Sequence, residues 1–221
     1  MSSPSILLTG VTGQLGTALA PMLSKTATVH APTRADLDLS DPEQIRTYVH
    51  QHRPDLILNS GAYTAVDAAE SEPEVARAVN THGAGALARA GAEVGASMIH
   101  LSTDYVFNGA SDVPYTELMP TEPINVYGHT KRDGEVAVLE SNPKTTVIRV
   151  AWLYHTEGKN FMRTMLRLAE AHDTLRIVND QFGAPTYVVD LAEALAQLSA
   201  AHLSGRVRSG IYHVPAGGKA S

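Results

Sequence analysis

Short runs of hydrophobic residues alternate along the chain with longer segments whose apolar residues recur every three to four positions. The short runs predict strands, and several are rich in β-branched residues and almost continuously apolar, as expected of strands covered on both faces. The predicted strands are Ser5–Thr9, Ala27–Ala31, Asp55–Asn59, Ser97–Ser102, Thr145–Ala151, Leu175–Val178 and Gly210–Val214. The predicted helices are Gln14–Ser24, Pro42–His52, Glu74–Val94, Tyr127–Glu140, Asn160–Ala171 and Val188–Leu203.

This alternation predicts the fold class. Strand–helix units repeated along a chain form parallel sheets with helices packed on both faces. We therefore expect an α/β protein with a doubly wound parallel sheet of the Rossmann type. The segment 107–123 is the longest predicted loop, and loops of that length in compact domains commonly carry function.

Composition and charge narrow the class of protein. The 221 residues are 43% hydrophobic and 18% charged, which predicts a packed core rather than disorder. The formal net charge of −6 makes nucleic acid an unexpected partner, and no apolar stretch is long enough for a membrane span. The chain contains no cysteine, which excludes disulfides and thiol catalysis and suits a reducing cytoplasm. Its ten histidines are scattered, so we expect no metal site.

Three glycines directly follow the first predicted strand. The segment Gly10-Val11-Thr12-Gly13-Gln14-Leu15-Gly16 lies between that strand and a predicted helix. Glycines at this spacing allow a tight turn, a close approach of the backbone to a pyrophosphate and close packing of helix on strand. The N–H groups and the positive dipole end at the start of the helix favour phosphate. The position of this loop therefore predicts a dinucleotide-binding site.

Acidic residues follow where a dinucleotide-binding fold carries the group that contacts the adenosine ribose. Asp36 and Asp38 lie about 20 residues beyond the last glycine, and Arg34 is beside them. An acid favours NADH, whereas an arginine can pair with the 2′-phosphate of NADPH. The alternative is that Asp36 and Asp38 are loop acids that cap the helix at Pro42, and for Asp36 this explanation is equally good. These residues leave the cofactor preference open.

A tyrosine and a lysine lie four residues apart in a predicted helix, at Tyr127 and Lys131. Residues at this spacing share one helical face. A free tyrosine has a pKa near 10, and a nearby cation lowers that value toward the range useful for proton transfer. The alternative is an amphipathic tyrosine with a solvated lysine. Because the same chain carries a predicted nucleotide-binding loop, this pair favours acid–base chemistry.

Polar residues end the strand Ser97–Ser102. Thr103 and Asp104 follow this strand, and the carboxyl ends of parallel strands are where such sheets bind ligands. Thr103 could hydrogen-bond a substrate oxygen or the tyrosine, and Asp104 could accept a hydrogen bond from a sugar hydroxyl. The alternative is a polar turn without a ligand.

These segments together resemble a known family. Gly10–Gly16, Ala62–Asp67, Ser102–Phe107 and Tyr127–Lys131 are similar to the motifs of extended short-chain dehydrogenases/reductases. Four more segments narrow the resemblance to the dTDP-4-dehydrorhamnose reductase family, namely Arg149–Tyr154, Asn160-Phe161, Asn179–Thr186 and Gly210–His213. The segments occur in the order of that family, from Ser5 to Gly218.

The resemblance implies reduction of the C4 ketone of dTDP-4-dehydro-L-rhamnose to dTDP-L-rhamnose with NADPH or NADH. Tyr127 would donate the proton, and Lys131 would hold the nicotinamide ribose and lower the pKa of Tyr127. Thr103 would orient that tyrosine, while Asp104 and Trp152 would contact the deoxysugar. The cofactor would be held by Gly10, Thr12, Gly13, Gln14, Leu15 and Gly16 at the pyrophosphate, Asp38 and Leu39 at the adenosine end, and Ala62, Tyr63 and Thr64 at its middle.

The resemblance also implies how the chain is divided. Residues 1–151 would form an NAD(P)-binding domain, and residues 152–221 a smaller substrate-binding part interleaved with it. Family members continue into further C-terminal helices, so we expect this part to be incomplete, with apolar surface exposed where those helices would pack. The family allows a homodimer, and some members bridge it through a metal held by acids of the first helix. Gln14–Ser24 has no acidic residue, so we do not expect that bridge here.

Two other functions fit the same motifs. One is reduction of another nucleotide-linked 4-keto-deoxysugar, because the loops 107–123 and 184–189 would choose the sugar. The other is a non-catalytic, nucleotide-binding regulatory subunit with the same fold. The presence of Thr103, Tyr127 and Lys131 favours an enzyme, since a pure binding protein needs no proton donor.

Overall fold

A computed structural model describes residues 3–158 and 160–221, in which strands and helices alternate. The strands are β1 (Ser5–Thr9), β2 (Thr28–His30), β3 (Leu56–Asn59), β4 (Ser97–Thr103), β5 (Thr145–Val150), β6 (Leu153–Tyr154), β7 (Thr186–Tyr187) and β8 (Gly210–His213). The helices are α1 (Gln14–Leu23), α2 (Pro42–His52), α3 (Val66–Ala69), α4 (Pro73–Arg77), α5 (Ala84–Val94), α6 (Val126–Ser141), α7 (Phe161–Ala171) and α8 (Val188–Leu203). A π-helical segment, Ala78–Gly83, joins α4 to α5, and a 3₁₀ turn, Asp104–Val106, follows β4.

Six strands form one parallel sheet in the order β2-β1-β3-β4-β5-β8. The chain runs from β1 outward to β2 and then crosses back to β3 on the other side of β1. This reversal leaves a crevice at the carboxyl ends of β1 and β3, which is where open α/β sheets bind ligands. The predicted Rossmann-type α/β fold is confirmed.

Alternate residues of the strands enter two apolar layers, one on each face of the sheet. On one face, Leu8 and Leu58 pack with side chains of α1 and α8. On the other face, Leu7 and Ile57 pack with side chains of α2 and α5. Burial on both faces explains why these strands are almost continuously apolar in sequence.

The predicted strand Leu175–Val178 is wrong. This segment pairs with none of the strands that the structure describes and runs as irregular chain, with Ile177 and Val178 more than half exposed. A short apolar run forms a strand only where a neighbouring strand supplies hydrogen-bond partners, and the sequence of the run alone does not reveal such a neighbour. The short strand β7 lies further along the chain and pairs with β6.

The predicted helix Glu74–Val94 is interrupted. Its path is helical from α4 to α5, but the segment Ala78–Gly83 takes the wider π form. A side chain at Gly83 would collide with the carbonyl oxygen of Leu39, so glycine permits a close approach of this helix to the loop before α2. Such π segments frequently occur at functional sites.

The last third of the chain shares the main sheet. Strand β8 pairs with β5, and α8 packs against α1. The division at residue 151 stays a prediction. Helix α7 has no buried residue, and Phe161 and Leu166 are more than 60% exposed. Among the residues that the structure describes, no helix is long and apolar enough to cross a membrane.

Candidate active site

The glycine loop lies at the crevice between β1 and β3. Gly10 has φ +71°, and a Cβ there would be 2.6 Å from the backbone nitrogen of Gly61, which follows β3. A side chain at Gly16 would collide with the carbonyl oxygen of Gly10. These glycines are therefore required where two loops and the start of α1 meet.

The first turn of α1 has no side-chain cap among the residues that the structure describes, because its N-cap is Gly13, an exposed residue without a side chain. The first N–H groups of a helix have no partner inside the helix, and together with the helix dipole they bind phosphate. The backbone of this loop thus fits a dinucleotide pyrophosphate.

The side chains of this loop point to different surroundings. Leu15 is buried in the apolar layer under α1 and α8, so only its backbone can contact a ligand, whereas Thr12 is exposed. The Gln14 side chain accepts a hydrogen bond from Asn160 Nδ2 at 3.3 Å. Asn160 also caps α7 through its bond from Arg163 N. Sequence reasoning missed the contact of Asn160 with the glycine loop, because the two segments are far apart along the chain.

The acidic residues after β2 are engaged in local turns. Asp36 accepts hydrogen bonds from the backbone and the hydroxyl of Thr33, which lower its pKa. The cap of α2 is Asp41, and neither Asp36 nor Asp38 has that role. Asp38 accepts two hydrogen bonds from Ser40, which lower its pKa, and its other oxygen lies 4.0 Å from Arg34 Nε.

Leu39 and the loop after β3 border the same crevice. The Leu39 side chain lies 2.7 Å from the position of a Cβ at Gly61, so a larger residue than glycine would displace it. Ala62 and Tyr63 are half-buried, and Thr64 is exposed. The three residues of this loop are thus brought next to the glycine loop and Leu39.

Asn80, in the π-helical segment, ties this loop to α6. Its Oδ1 accepts from Tyr63 N at 2.8 Å, and its Nδ2 donates to Tyr63 O at 3.0 Å and to Thr130 Oγ1 at 3.1 Å. Asn80 is 2% exposed. Sequence reasoning missed this residue, and the one available signal was an amide within a largely apolar helix.

Tyr127 and Lys131 lie one turn apart on the buried face of α6, which begins at the Asn125 cap. The Lys131 Nζ donates to the carbonyl oxygen of Leu101 on β4 at 2.6 Å. The Tyr127 ring packs edge-on against Tyr105, with ring centroids 5.5 Å apart. The two side chains are thus held against the carboxyl end of β4.

The pKa of Tyr127 changes in the direction opposite to the one expected. Burial raises the pKa of Tyr127 to about 12, although Thr103 acts in the opposite direction. Burial lowers the pKa of Lys131 to about 8, with Glu135 opposing that change. The expected lowering of the Tyr127 pKa is wrong for this structure, because loss of solvent around the phenolate outweighs the opposing hydrogen bond from Thr103, and the nearby Asp104 and Tyr105 also raise the pKa. Tyr127 is therefore protonated at neutral pH.

Thr103 and Asp104 lie beside the tyrosine at the end of β4. Thr103 Oγ1 donates to Asp104 Oδ1 at 3.0 Å and accepts from Tyr105 N at 3.2 Å. Burial raises the pKa of Asp104. This corner therefore offers a hydroxyl and a partly buried carboxyl group next to Tyr127.

Trp152 lies after the neighbouring strand β5. It has φ +46°, uncommon outside glycine. A Cβ at Gly183 would be 2.5 Å from the indole ring, so the ring packs against the loop before β7. Among residues 3–158 and 160–221, no group of three or more His, Asp or Glu side chains could hold a metal ion.

Comparison with known proteins gives a consistent result. Residues 4–221 match the family model of the RmlD substrate binding domain. The chain is 50% identical over 212 residues to a dTDP-4-dehydrorhamnose reductase of Streptomyces griseus, with 95% of this chain and 70% of the relative covered. It is 46% identical over 219 residues to the dTDP-4-dehydrorhamnose reductase of Escherichia coli, with 97% and 73% covered.

Solved structures agree with the sequence relatives. A dTDP-4-dehydrorhamnose reductase from Bacillus anthracis in complex with NADP superposes with a TM-score of 0.93 at 37% identity, covering 100% of this chain and 77% of that one. A UDP-glucose 4-epimerase from Brucella ovis in complex with NAD superposes with a TM-score of 0.85 at 18% identity, covering 99% and 79%. The second likeness concerns the fold alone.

Proposed function

Because the chain belongs to the RmlD family of dTDP-4-dehydrorhamnose reductases, we propose that it reduces the C4 ketone of dTDP-4-dehydro-L-rhamnose to dTDP-L-rhamnose. The cofactor is NADPH, with NADH as the alternative. The observation that carries the mechanism is that Tyr127 and Lys131 lie one turn apart on the buried face of α6, against the carboxyl end of β4.

The cofactor fits the crevice between β1 and β3. The first turn of α1 has no side-chain cap within the described residues, so its N–H groups can bind a pyrophosphate. The close backbone packing at Gly10 and Gly16 places the glycine loop at the start of this helix. Asp38 and Leu39 would contact the adenosine end, and Ala62, Tyr63 and Thr64 the middle of the cofactor, as their positions beside this loop support. When bound, the nicotinamide supplies the hydride for the ketone carbon.

Tyr127 donates a proton to the substrate oxygen. A phenol whose pKa is raised to about 12 keeps its proton until the oxygen becomes an alkoxide, which is a stronger base than phenolate. The proton then moves from Tyr127 Oη to that oxygen, and a phenolate remains. Lys131, one turn away, stabilises this phenolate by its charge and offers N–H donors to the nicotinamide ribose.

The corner beside Tyr127 suits a deoxysugar. Thr103 would orient the tyrosine: its hydroxyl is fixed between Asp104 Oδ1 and Tyr105 N, and it acts to lower the Tyr127 pKa. Asp104 accepts a hydrogen bond from a sugar hydroxyl, and the Trp152 indole offers an apolar face to a methyl-bearing ring. These contacts favour a deoxysugar over a fully hydroxylated sugar.

Turnover of the tyrosine variant tests this function. Wild-type protein and Tyr127→Phe are compared by NADPH oxidation with dTDP-4-dehydro-L-rhamnose. We expect a loss of roughly 10²–10⁴-fold in the variant. The control is Tyr48→Phe, which removes a hydroxyl from α2. Near-normal turnover of Tyr127→Phe contradicts the mechanism, and wild-type activity only with another nucleotide-linked 4-keto sugar changes the substrate.

The setting of the reaction is also part of the proposal. We place the reaction in a reducing cytoplasm, because the chain contains no cysteine and its proposed substrate is a nucleotide sugar. Cell fractionation tests this location.

We propose that residues 152–221 form the part of the site that binds the sugar. Any homodimer forms without a metal bridge at α1, which has no acidic residue. Light scattering with and without Mg²⁺ checks that prediction.

A further inference from the structure

A row of polar side chains crosses the sheet from β1 to β5, on the same face as the apolar layer that packs against α2 and α5. Thr9 lies beside Asn59 in the strand register, and Asn59 lies beside His100. Two residues further along β4, Ser102 lies beside Arg149. All five residues are at most 5% exposed. Side chains of this kind are buried only where hydrogen bonds compensate for lost water.

Hydrogen bonds run in one direction along the first half of this row. Gly61 N donates to Thr9 Oγ1 at 3.2 Å, and Thr9 Oγ1 donates to Asn59 Oδ1 at 2.6 Å. The Asn59 amide then donates to His100 Nδ1 at 3.0 Å. A neutral histidine whose Nδ1 accepts carries its hydrogen on Nε2. Burial and the neighbouring Lys131 hold the pKa of His100 well below its usual value, so the ring is neutral.

The row ends in two atoms without partners. Among the described residues, His100 Nε2 and Ser102 Oγ are buried side-chain atoms that make no hydrogen bond. The residue between them is Leu101, whose carbonyl oxygen accepts from Lys131 Nζ at 2.6 Å. The ammonium group therefore lies over the stretch of β4 that carries both atoms.

Charged neighbours do not offer Lys131 a free acceptor. Glu135 lies one turn further along α6, but its two oxygens accept from Arg149 Nε and Nη2 at 2.8 and 2.6 Å. His100 on β4 is close enough for the ammonium to lower its pKa, and Tyr127 lies one turn earlier on α6. Within the described ranges, neither His100 Nε2 nor the Tyr127 hydroxyl forms a hydrogen bond with Lys131 Nζ, which bonds to Leu101 O.

We propose that His100 and Ser102 bind one internal water molecule against Lys131 Nζ and thereby act as positioning residues for that lysine. A water oxygen can accept from both His100 Nε2–H and the ammonium, two donors that cannot bond to each other, and can donate to Ser102 Oγ. Buried waters typically make about three such bonds. The water site does not depend on the proposed function; only the catalytic role of Lys131 rests on it.

The water has a measurable consequence for Lys131. Removing the Ser102 hydroxyl deprives the water of an acceptor and weakens its hold on the ammonium, so the acid form of Lys131 is less stable. The titration of Lys131 then moves to lower pH. Ser102→Thr restores a hydroxyl at the same position and restores the titration.

The experiment follows the ¹³Cε signals of the five lysines by NMR as the pH is raised, with Lys131 assigned from the signal missing in Lys131→Met. We expect Ser102→Ala to lower the Lys131 midpoint by about one unit, a tenfold change in its acid dissociation constant. Ser102→Thr and Ser199→Ala should titrate like the wild type. Ser199 is the matched control, because its hydroxyl is equally buried but bonds to Leu195 O in α8.

A second measurement uses the wild-type protein and does not depend on a variant folding. In ¹⁵N-histidine-labelled protein, we expect His100 to show the Nε2–H form and a nuclear Overhauser effect between water and that proton. An unchanged Lys131 midpoint in Ser102→Ala, or no such effect from water, overturns the proposal. Neither readout needs substrate, so a failure here is separate from a failure of the proposed reaction.

Discussion

Asn80 makes the sharpest single prediction, because one buried amide joins the cofactor loop to the helix of Tyr127. Asn80→Ala removes three hydrogen bonds and leaves the backbone N–H and C=O of Tyr63 without their partner. A net contribution of about 0.5–1.5 kcal/mol for each bond gives a loss of about 1.5–4.5 kcal/mol in the free energy of unfolding. Urea denaturation followed by circular dichroism measures this loss.

The control for Asn80 is Asn142, which is also a buried asparagine. Asn142 donates to Ala96 O at 3.0 Å and accepts from Lys144 N at 2.9 Å, about 16 Å beyond Lys131 along α6. Asn142→Ala should lose about 1–3 kcal/mol of stability and keep its NADPH affinity. Asn80→Ala should also weaken NADPH binding about tenfold, or about 1.4 kcal/mol. Equal NADPH affinity in the two variants would refute the assigned role of Asn80.

Three further predictions address the cofactor site and its ionisation. Gly16→Ala should weaken NADPH binding at least about tenfold, since a side chain there collides with Gly10 O, whereas Gly217→Ala, in open space, should bind normally. Burial lowers the pKa of Lys131 to about 8, so between pH 8 and 10.5 the unfolded chain binds more protons than the folded one. The free energy of unfolding of the wild type, relative to that of Lys131→Met, should therefore rise by about 3 kcal/mol as the pH increases across that window. A difference that stays constant with pH contradicts the lowered pKa. The Arg34 side chain is 80% exposed, and its charge should favour NADPH over NADH. If Arg34→Ala leaves the ratio of the NADPH and NADH dissociation constants unchanged, Arg34 does not contribute to the choice of cofactor.

The sequence predicted those features that depend on local pattern. Alternating strands and helices predicted the parallel sheet, and the ends of α2 and α8 were predicted to the residue. Helix α2 begins where Asp41 caps it and Pro42 takes the first position, and both signals are local. The glycines after β1 were predicted for the same reason, because their spacing directly reflects a backbone constraint.

Other features depend on contacts between distant segments and were missed or wrong. Leu175–Val178 is apolar enough for a strand, but no strand in the described part of the chain lies beside it. The roles of Asn80 and His100 depend on partners about 17 to 50 residues away, which one sequence does not reveal. The pKa of Tyr127 was expected to fall because Lys131 is close in sequence, yet its burial under neighbouring elements decides the direction.

Transfer of deuterium to the product tests the central claim most directly. The chain is incubated with dTDP-4-dehydro-L-rhamnose and NADPH carrying deuterium at C4 of the nicotinamide, using each stereoisomer in turn, and the product is analysed by NMR and mass spectrometry. We expect dTDP-L-rhamnose with deuterium at C4 of the sugar from one of the two stereoisomers. Failure to form dTDP-L-rhamnose, or a product without deuterium at C4 from either cofactor, would contradict the proposed reaction.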